Sequence, residues 1–103
     1  RRLKGAGHMQ KRLLALFHQL GIEELKQIDR LYELKGDFIN LECKLPNGQF
    51  AKLLDDSKLY YGVEVCKTNS SRCYGIAGDA QQLVVYEYGE NGTDAELVLW
   101  KRI

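Results

Sequence analysis

Proline is almost missing from this chain: Pro46 is the only one in 103 residues. With no Ser/Gly-rich tract and no internal repeat either, nothing reads as an interdomain linker or a low-complexity segment. Long apolar runs are missing too. The longest uncharged stretch, Leu13 to Ile22, has ten residues and includes His18 and Gln19, whereas a membrane-crossing helix needs about twenty. Lys11 and Arg12 ahead of the apolar run Leu13 to Phe17 resemble the start of a signal peptide, but the run breaks at His18 and no small-residue cleavage site follows. A cytoplasmic protein that opens on an amphipathic helix is therefore expected. Nor is there an excess of charge of one sign, with 15 basic residues against 14 acidic, so the basic excess usual in nucleic-acid binders is absent.

Methionine occurs once, at Met9, directly after His8. A His-Met pair is what an expression vector commonly leaves where a cloned gene begins, so residues 1–8 are expected to be vector-derived and 9–103 to form the domain. The competing reading is that the eight residues are native. Leaving out Arg1, Arg2 and Lys4 reduces the basic residues to 12 and turns the formal charge from +1 to −2. The remaining 95 residues suffice for one domain and not for two. At 45% hydrophobic and 28% charged residues, the chain can bury a core and is not a disordered tail.

From Gln10 to Gly36 the apolar period is helical. Leu13, Leu14, Phe17 and Leu20 make one stripe, and Gly21 stands where a left-handed C-cap belongs. A second segment opens on Glu23 and Glu24, continues with Leu25, Ile28, Leu31 and Tyr32, and closes at Lys35-Gly36. Two short helices joined at Gly21 are expected, a single kinked helix being the alternative. After Gly36 the period becomes two. Strands are expected over Ile39 to Leu45, Phe50 to Leu54, Tyr61 to Val65, Arg72 to Ile76, Leu83 to Tyr88 and Ala95 to Ile103. Pro46-Asn47-Gly48 and Thr68-Asn69-Ser70-Ser71 read as hairpin turns. In the last strand, strict alternation puts Leu97 and Leu99 on one side and Val98 and Trp100 on the other. Short connections call for antiparallel neighbours. The predicted fold class is α+β: two N-terminal helices packed on an antiparallel meander, or strongly curved half-barrel, of about five to six strands. Many small bacterial accessory proteins share this layout, an analogy of architecture that carries no function.

No sequence pattern carries recognisable catalysis. There is no nucleophile elbow, P-loop or HExxH, and Gly75-Ile76-Ala77-Gly78 neither matches a dinucleotide fingerprint nor opens a helix. His18 reads as an exposed or partly packed helix residue. The pairs Glu23-Glu24 and Asp55-Asp56 are explained by a helix dipole and by a turn. Asn69-Ser70-Ser71 and Asn91-Gly92-Thr93 match the glycosylation pattern by chance length. No cofactor and no metal are implied, and a non-enzyme is expected.

Two features remain. Cys66 and Cys73 flank the Thr68–Ser71 turn symmetrically, which sets them across from each other in a hairpin, within reach of a disulfide. Their spacing is not that of a zinc knuckle, and with Cys43 unpaired the thiols are expected to be close but reduced. Tyr60, Tyr61, Tyr74, Tyr86, Tyr88 and Trp100 all fall in expected strands. Plain sheet packing accounts for them first and a binding surface second, because tyrosine is a good strand residue and is enriched at interfaces. Base stacking in single-stranded nucleic acid comes third. The leading expectation is an interaction module that binds a protein partner, or itself as a homo-oligomer, through an aromatic sheet face or the final strand. A small-molecule domain with an apolar pocket between helices and curved sheet is the alternative.

Overall fold

The computed structural model describes residues 2–103. Among these residues are one α-helix, α1 (Arg2–His18), and seven strands, β1 (Tyr32–Glu33), β2 (Glu42–Lys44), β3 (Phe50–Lys52), β4 (Tyr61–Cys66), β5 (Cys73–Gly78), β6 (Gln82–Tyr88) and β7 (Glu96–Arg102). Short 3-10 turns occupy Glu23–Gln27, Gly36–Phe38 and Glu90–Gly92. The strands form one sheet in the order β1-β4-β5-β6-β7-β2-β3. This corrects the expected two helices on a five- to six-stranded antiparallel meander: there is one helix and a seven-stranded mixed sheet, still of α+β kind.

α1 runs unbroken through His8 and Met9, and Met9 is the first of its described side chains to pack on the core. Arg1, the first of the residues expected to be vector-derived, lies outside the described residues. Leu13 and Phe17, one helical turn apart, are fully buried. The helix gives way to a turn ahead of Gly21, whose φ of +82° is the left-handed conformation a C-cap glycine supplies.

The expected second helix is absent for a definable reason. Ile22 stands at its N-cap with no side-chain oxygen to hold the first free N–H groups. A 3-10 turn forms instead, and at Tyr32 and Glu33 the chain pairs with Gly62 and Tyr61 of β4. Leu25 and Leu31 are nonetheless buried beneath α1, as the periodic pattern required. Strand pairing satisfies the backbone that a helix would have satisfied internally. His18 secures the segment, its Nε2 lying 2.7 Å from the Ile28 carbonyl oxygen.

β4, β5, β6 and β7 are a true antiparallel meander. The hairpin β2–β3 joins its end in parallel, through the single pair Lys44↔Glu96. Parallel neighbours need a long connection, and the whole meander serves as that connection.

One face of the sheet carries Tyr61, Val63, Val65, Tyr74, Ile76, Leu83, Val85 and Leu99 against α1 and the segment 22–31. The other carries Cys73, Ala77, Val84, Tyr86, Tyr88 and Leu97 against Ile39, Cys43, Leu54, Tyr60 and Ala95, drawn from the loops and the β2–β3 hairpin. Alternation in β7 is broken by a bulge: Val85 pairs with Leu99 but Tyr86 pairs with Leu97. The extra residue, Val98, sends Leu97 and Leu99 to opposite faces. That corrects the expectation that they share one.

Two glycines are demanded by close approach. A Cβ on Gly62 would overlap the Ile76 carbonyl oxygen, and one on Gly75 would lie 2.6 Å from the Tyr88 ring. Gly75→Ala is expected to cost about 1–3 kcal/mol, because the Tyr88 and Phe38 rings must shift. Gly62→Ala should cost more, because only backbone can give way. Urea unfolding of the two variants checks the ranking.

Candidate functional site

The six aromatics singled out in the sequence do not share a surface. Tyr60, Tyr86 and Tyr88 are buried in the core between the sheet and the 34–60 layer, while Tyr61 is buried and Tyr74 half-buried on the helix side. Tyr86 and Tyr88 do point away from Leu83 and Val85, but the hairpin and loops cover that face. The Tyr60 hydroxyl accepts the Asp55 N–H at 3.0 Å. The Tyr86 hydroxyl is buried with no hydrogen-bond partner among the described residues, and burial raises its pKa far above the phenol range. Tyr88 is raised too, first by burial and then by the nearby Glu64 carboxylate.

Trp100 alone of the six is exposed, at 50%. It lies on β7, and its Nε1–H donates to Gln82 Oε1 at 2.8 Å, which fixes the indole against the sheet. The outer edge of this strand is open. β2 meets β7 only at Glu96, with Lys44 N–H donating to the Ala95 carbonyl. From Val98 onward no described strand lies on that side. The Ile103 N–H turns inward to the Gln81 carbonyl, so period two turns the backbone groups of Trp100 and Arg102 outward. Val98 at 44% and Ile103 at 38% extend the exposed apolar surface, and Lys101 and Arg102 are exposed beside it. The free edge therefore combines unpaired backbone, apolar side chains and two cations. The bulge at Val98 was the feature the sequence could not reveal.

At the far end of the sheet, Cys66 and Cys73 face each other in register, their Sγ atoms 3.1 Å apart and both thiols free. Beside them Glu87 receives Arg72 Nε at 2.8 Å and Lys67 Nζ at 3.1 Å. Those two bonds, Lys67 first, hold the Glu87 carboxyl below the ordinary carboxylate range. Arg72 also donates to the Asp94 carbonyl at 2.8 Å, tying the hairpin to the turn before β7.

The other carboxylates flagged in the sequence have partners within the fold. Glu23 pairs with Lys26, Glu24 accepts the Thr68 N–H, and Asp55 accepts from Ser57. A hollow of about 320 Å³ lies on the face away from α1, lined by Phe38, Leu41, Glu64, Tyr88, Asn91 and Gly92. No described helix is long and apolar enough to cross a membrane. No family model matches the chain, and neither a curated protein nor a solved structure shows significant similarity to it.

Two outcomes are expected here. Tyr86→Phe should stabilise the fold by about 1 kcal/mol, since it removes a buried hydroxyl that lacks a partner; thermal unfolding checks this. Glu87 has a folded pKa below its unfolded value, so its contribution is complete above the unfolded pKa and is lost as pH falls through the folded one. Glu87→Gln should therefore weaken the protein at neutral pH and flatten its stability profile below about pH 4.5, as read by denaturation across pH.

Proposed function

We propose that the protein is a non-enzymatic binding module that captures an extended segment of another protein on the free edge of β7. The open backbone of Val98–Arg102, with Trp100 half exposed beside it, carries this reading. Strand addition uses main-chain hydrogen bonds for affinity and the flanking side chains for selection. The edge is short, which suits a transient complex rather than an obligate one.

Charge favours a different partner over a second copy. In an antiparallel pair of two β7 strands, the register that sets Glu96 against Arg102 of a second copy would run the partner strand into Lys44, already paired with Glu96. The registers that fit the free stretch oppose Arg102 to Val98 or Trp100, and Lys101 to Leu99 or to another Lys101. Neither cation then meets an acid. A partner strand with acidic residues opposite Lys101 and Arg102 and an apolar residue beside Trp100 meets both needs. Lys101, Arg102 and the bulge also oppose edge-to-edge self-association. The three free cysteines fit a reducing compartment such as the cytoplasm.

A second reading rests on the Phe38–Tyr88 hollow. Its volume falls at the lower limit for small-ligand pockets, and its lining combines two aromatic rings with the Glu64 carboxylate. Such a lining suits a small apolar molecule bearing one donor.

Trp100 is the sole tryptophan, so its fluorescence reports directly on the edge. An alternating Glu-Val hexapeptide should shift it saturably, and a Lys-Val hexapeptide should bind about tenfold more weakly or not at all. Lys101→Glu/Arg102→Glu should reverse that preference. Amide exchange at Trp100 and Arg102 should slow with the acidic peptide. Unchanged exchange at those amides with either peptide would overturn the proposal, as would protection that arises from protein concentration alone.

A further inference from the structure

We propose that Cys66 and Cys73 form a reversible thiol–disulfide site that is oxidised by exchange with a low-molecular-weight disulfide and reduced again by the corresponding thiol. The pairing geometry is the first support. The Lys67 N–H donates to the Arg72 carbonyl at 3.0 Å, so the next pair inward, Cys66↔Cys73, is the non-hydrogen-bonded one. Such pairs hold their Cα atoms about 4.5 Å apart, within the range a disulfide spans. The two sulfurs already touch through an S–H···S bond at 3.1 Å, donated by Cys73. Closing the bond needs side-chain rotation and no movement of strands.

Access is the second support, and it assigns the roles. Cys66 is exposed and accepts the hydrogen bond, whereas Cys73 is half-buried. That bond and then burial push the Cys73 thiol up to about 11. Cys66 is therefore the attacking sulfur and Cys73 the resolving one. Cys43, the third thiol, is fully buried in the core cluster that holds Tyr86 and does not compete. Lys67 and Arg72 flank the pair in sequence, but both are engaged by Glu87. They leave the site an ordinary exchange partner rather than an activated nucleophile.

The chemistry balances in two steps. The Cys66 thiolate attacks one sulfur of the small disulfide RSSR, forming Cys66–S–SR and releasing RS⁻. Cys73, having lost its proton to solvent, then attacks the Cys66 sulfur, forms the Cys66–Cys73 bond and releases a second RS⁻. Two protein thiols give up two electrons and two protons, and RSSR becomes two RSH. A disulfide this exposed is of the readily reduced kind, so the site cycles.

The test uses the full chain, reduced and then exposed to mixtures of oxidised and reduced glutathione. Wild-type protein should lose about 2 Da, one hydrogen from each thiol, with Cys43 still free to be alkylated after unfolding. Cys73→Ser should stop at the mixed disulfide on Cys66. Cys66→Ser should react about tenfold more slowly, because the remaining thiol is half-buried. The oxidised wild type should melt about 10 °C higher, through the constraint on its unfolded chain. A wild type that halts at a mixed disulfide, or two serine variants that react alike, would overturn the proposal.

Discussion

Burial of β6 on both faces is the constraint from which the rest of the architecture follows. Leu83 and Val85 turn to one side and Val84, Tyr86 and Tyr88 to the other, and all five are buried. Each such side chain left in water would cost about 1.5–3 kcal/mol, so the sheet needs a cover on each side. α1 with the segment 22–31 supplies one and the 34–60 layer supplies the other. A chain of this length has no third element to spare. That is why β2 and β3 must both extend the sheet and fold over its second face.

The meander was legible because its signals are local. The composition of Leu83 to Tyr88, the turn at Thr68–Ser71 and the alternation in Tyr61 to Val65 each specify structure within a few residues. What was illegible depends on distant partners. Leu25, Ile28 and Leu31 repeat at intervals of three, a spacing shared by an α-helix and by a 3-10 turn leading into extended chain. β4 offered an unpaired edge to Tyr32 and Glu33, and no residue in that segment announces the offer. The parallel pair Lys44↔Glu96 joins residues far apart in sequence, so no hairpin signal could exist for it. Alternation along β6 puts Tyr86 and Tyr88 on the side away from α1, but the sequence does not say that a second layer covers that side.

The candidate site divides the same way. The juxtaposition of Cys66 and Cys73 follows from symmetry about a turn and was readable at once. The open edge was not, because reading it requires knowing that β2 leaves β7 after one pair. Trp100 stood in the aromatic set for its residue type, and only the structure separates it from the five tyrosines. The bulge is equally hidden: nothing in Glu96 to Arg102 marks Val98 as an extra residue, yet it decides which leucine faces which core.

The two ends of the sheet therefore have opposite characters. At the Tyr88 end, Glu87, Arg72, Lys67 and the Asp94 carbonyl bind two turns to the end of β6, and the thiol pair sits beside that knot. At the Gln82 end, β7 runs on without an outer neighbour. Five residue steps along the strand lead from Leu83 to Tyr88, roughly 17 Å at the rise of an extended chain. Groups that far apart with no shared partner contribute almost independently. A disulfide at Cys66–Cys73 would tighten a region already held by ion pairs and leave the outward amides of Trp100 and Arg102 as they are. The proposed binding at the edge and the proposed oxidation at the hairpin are thus separable, because the knot at Glu87 fixes one end of the sheet while the single bridge at Glu96 leaves the other free.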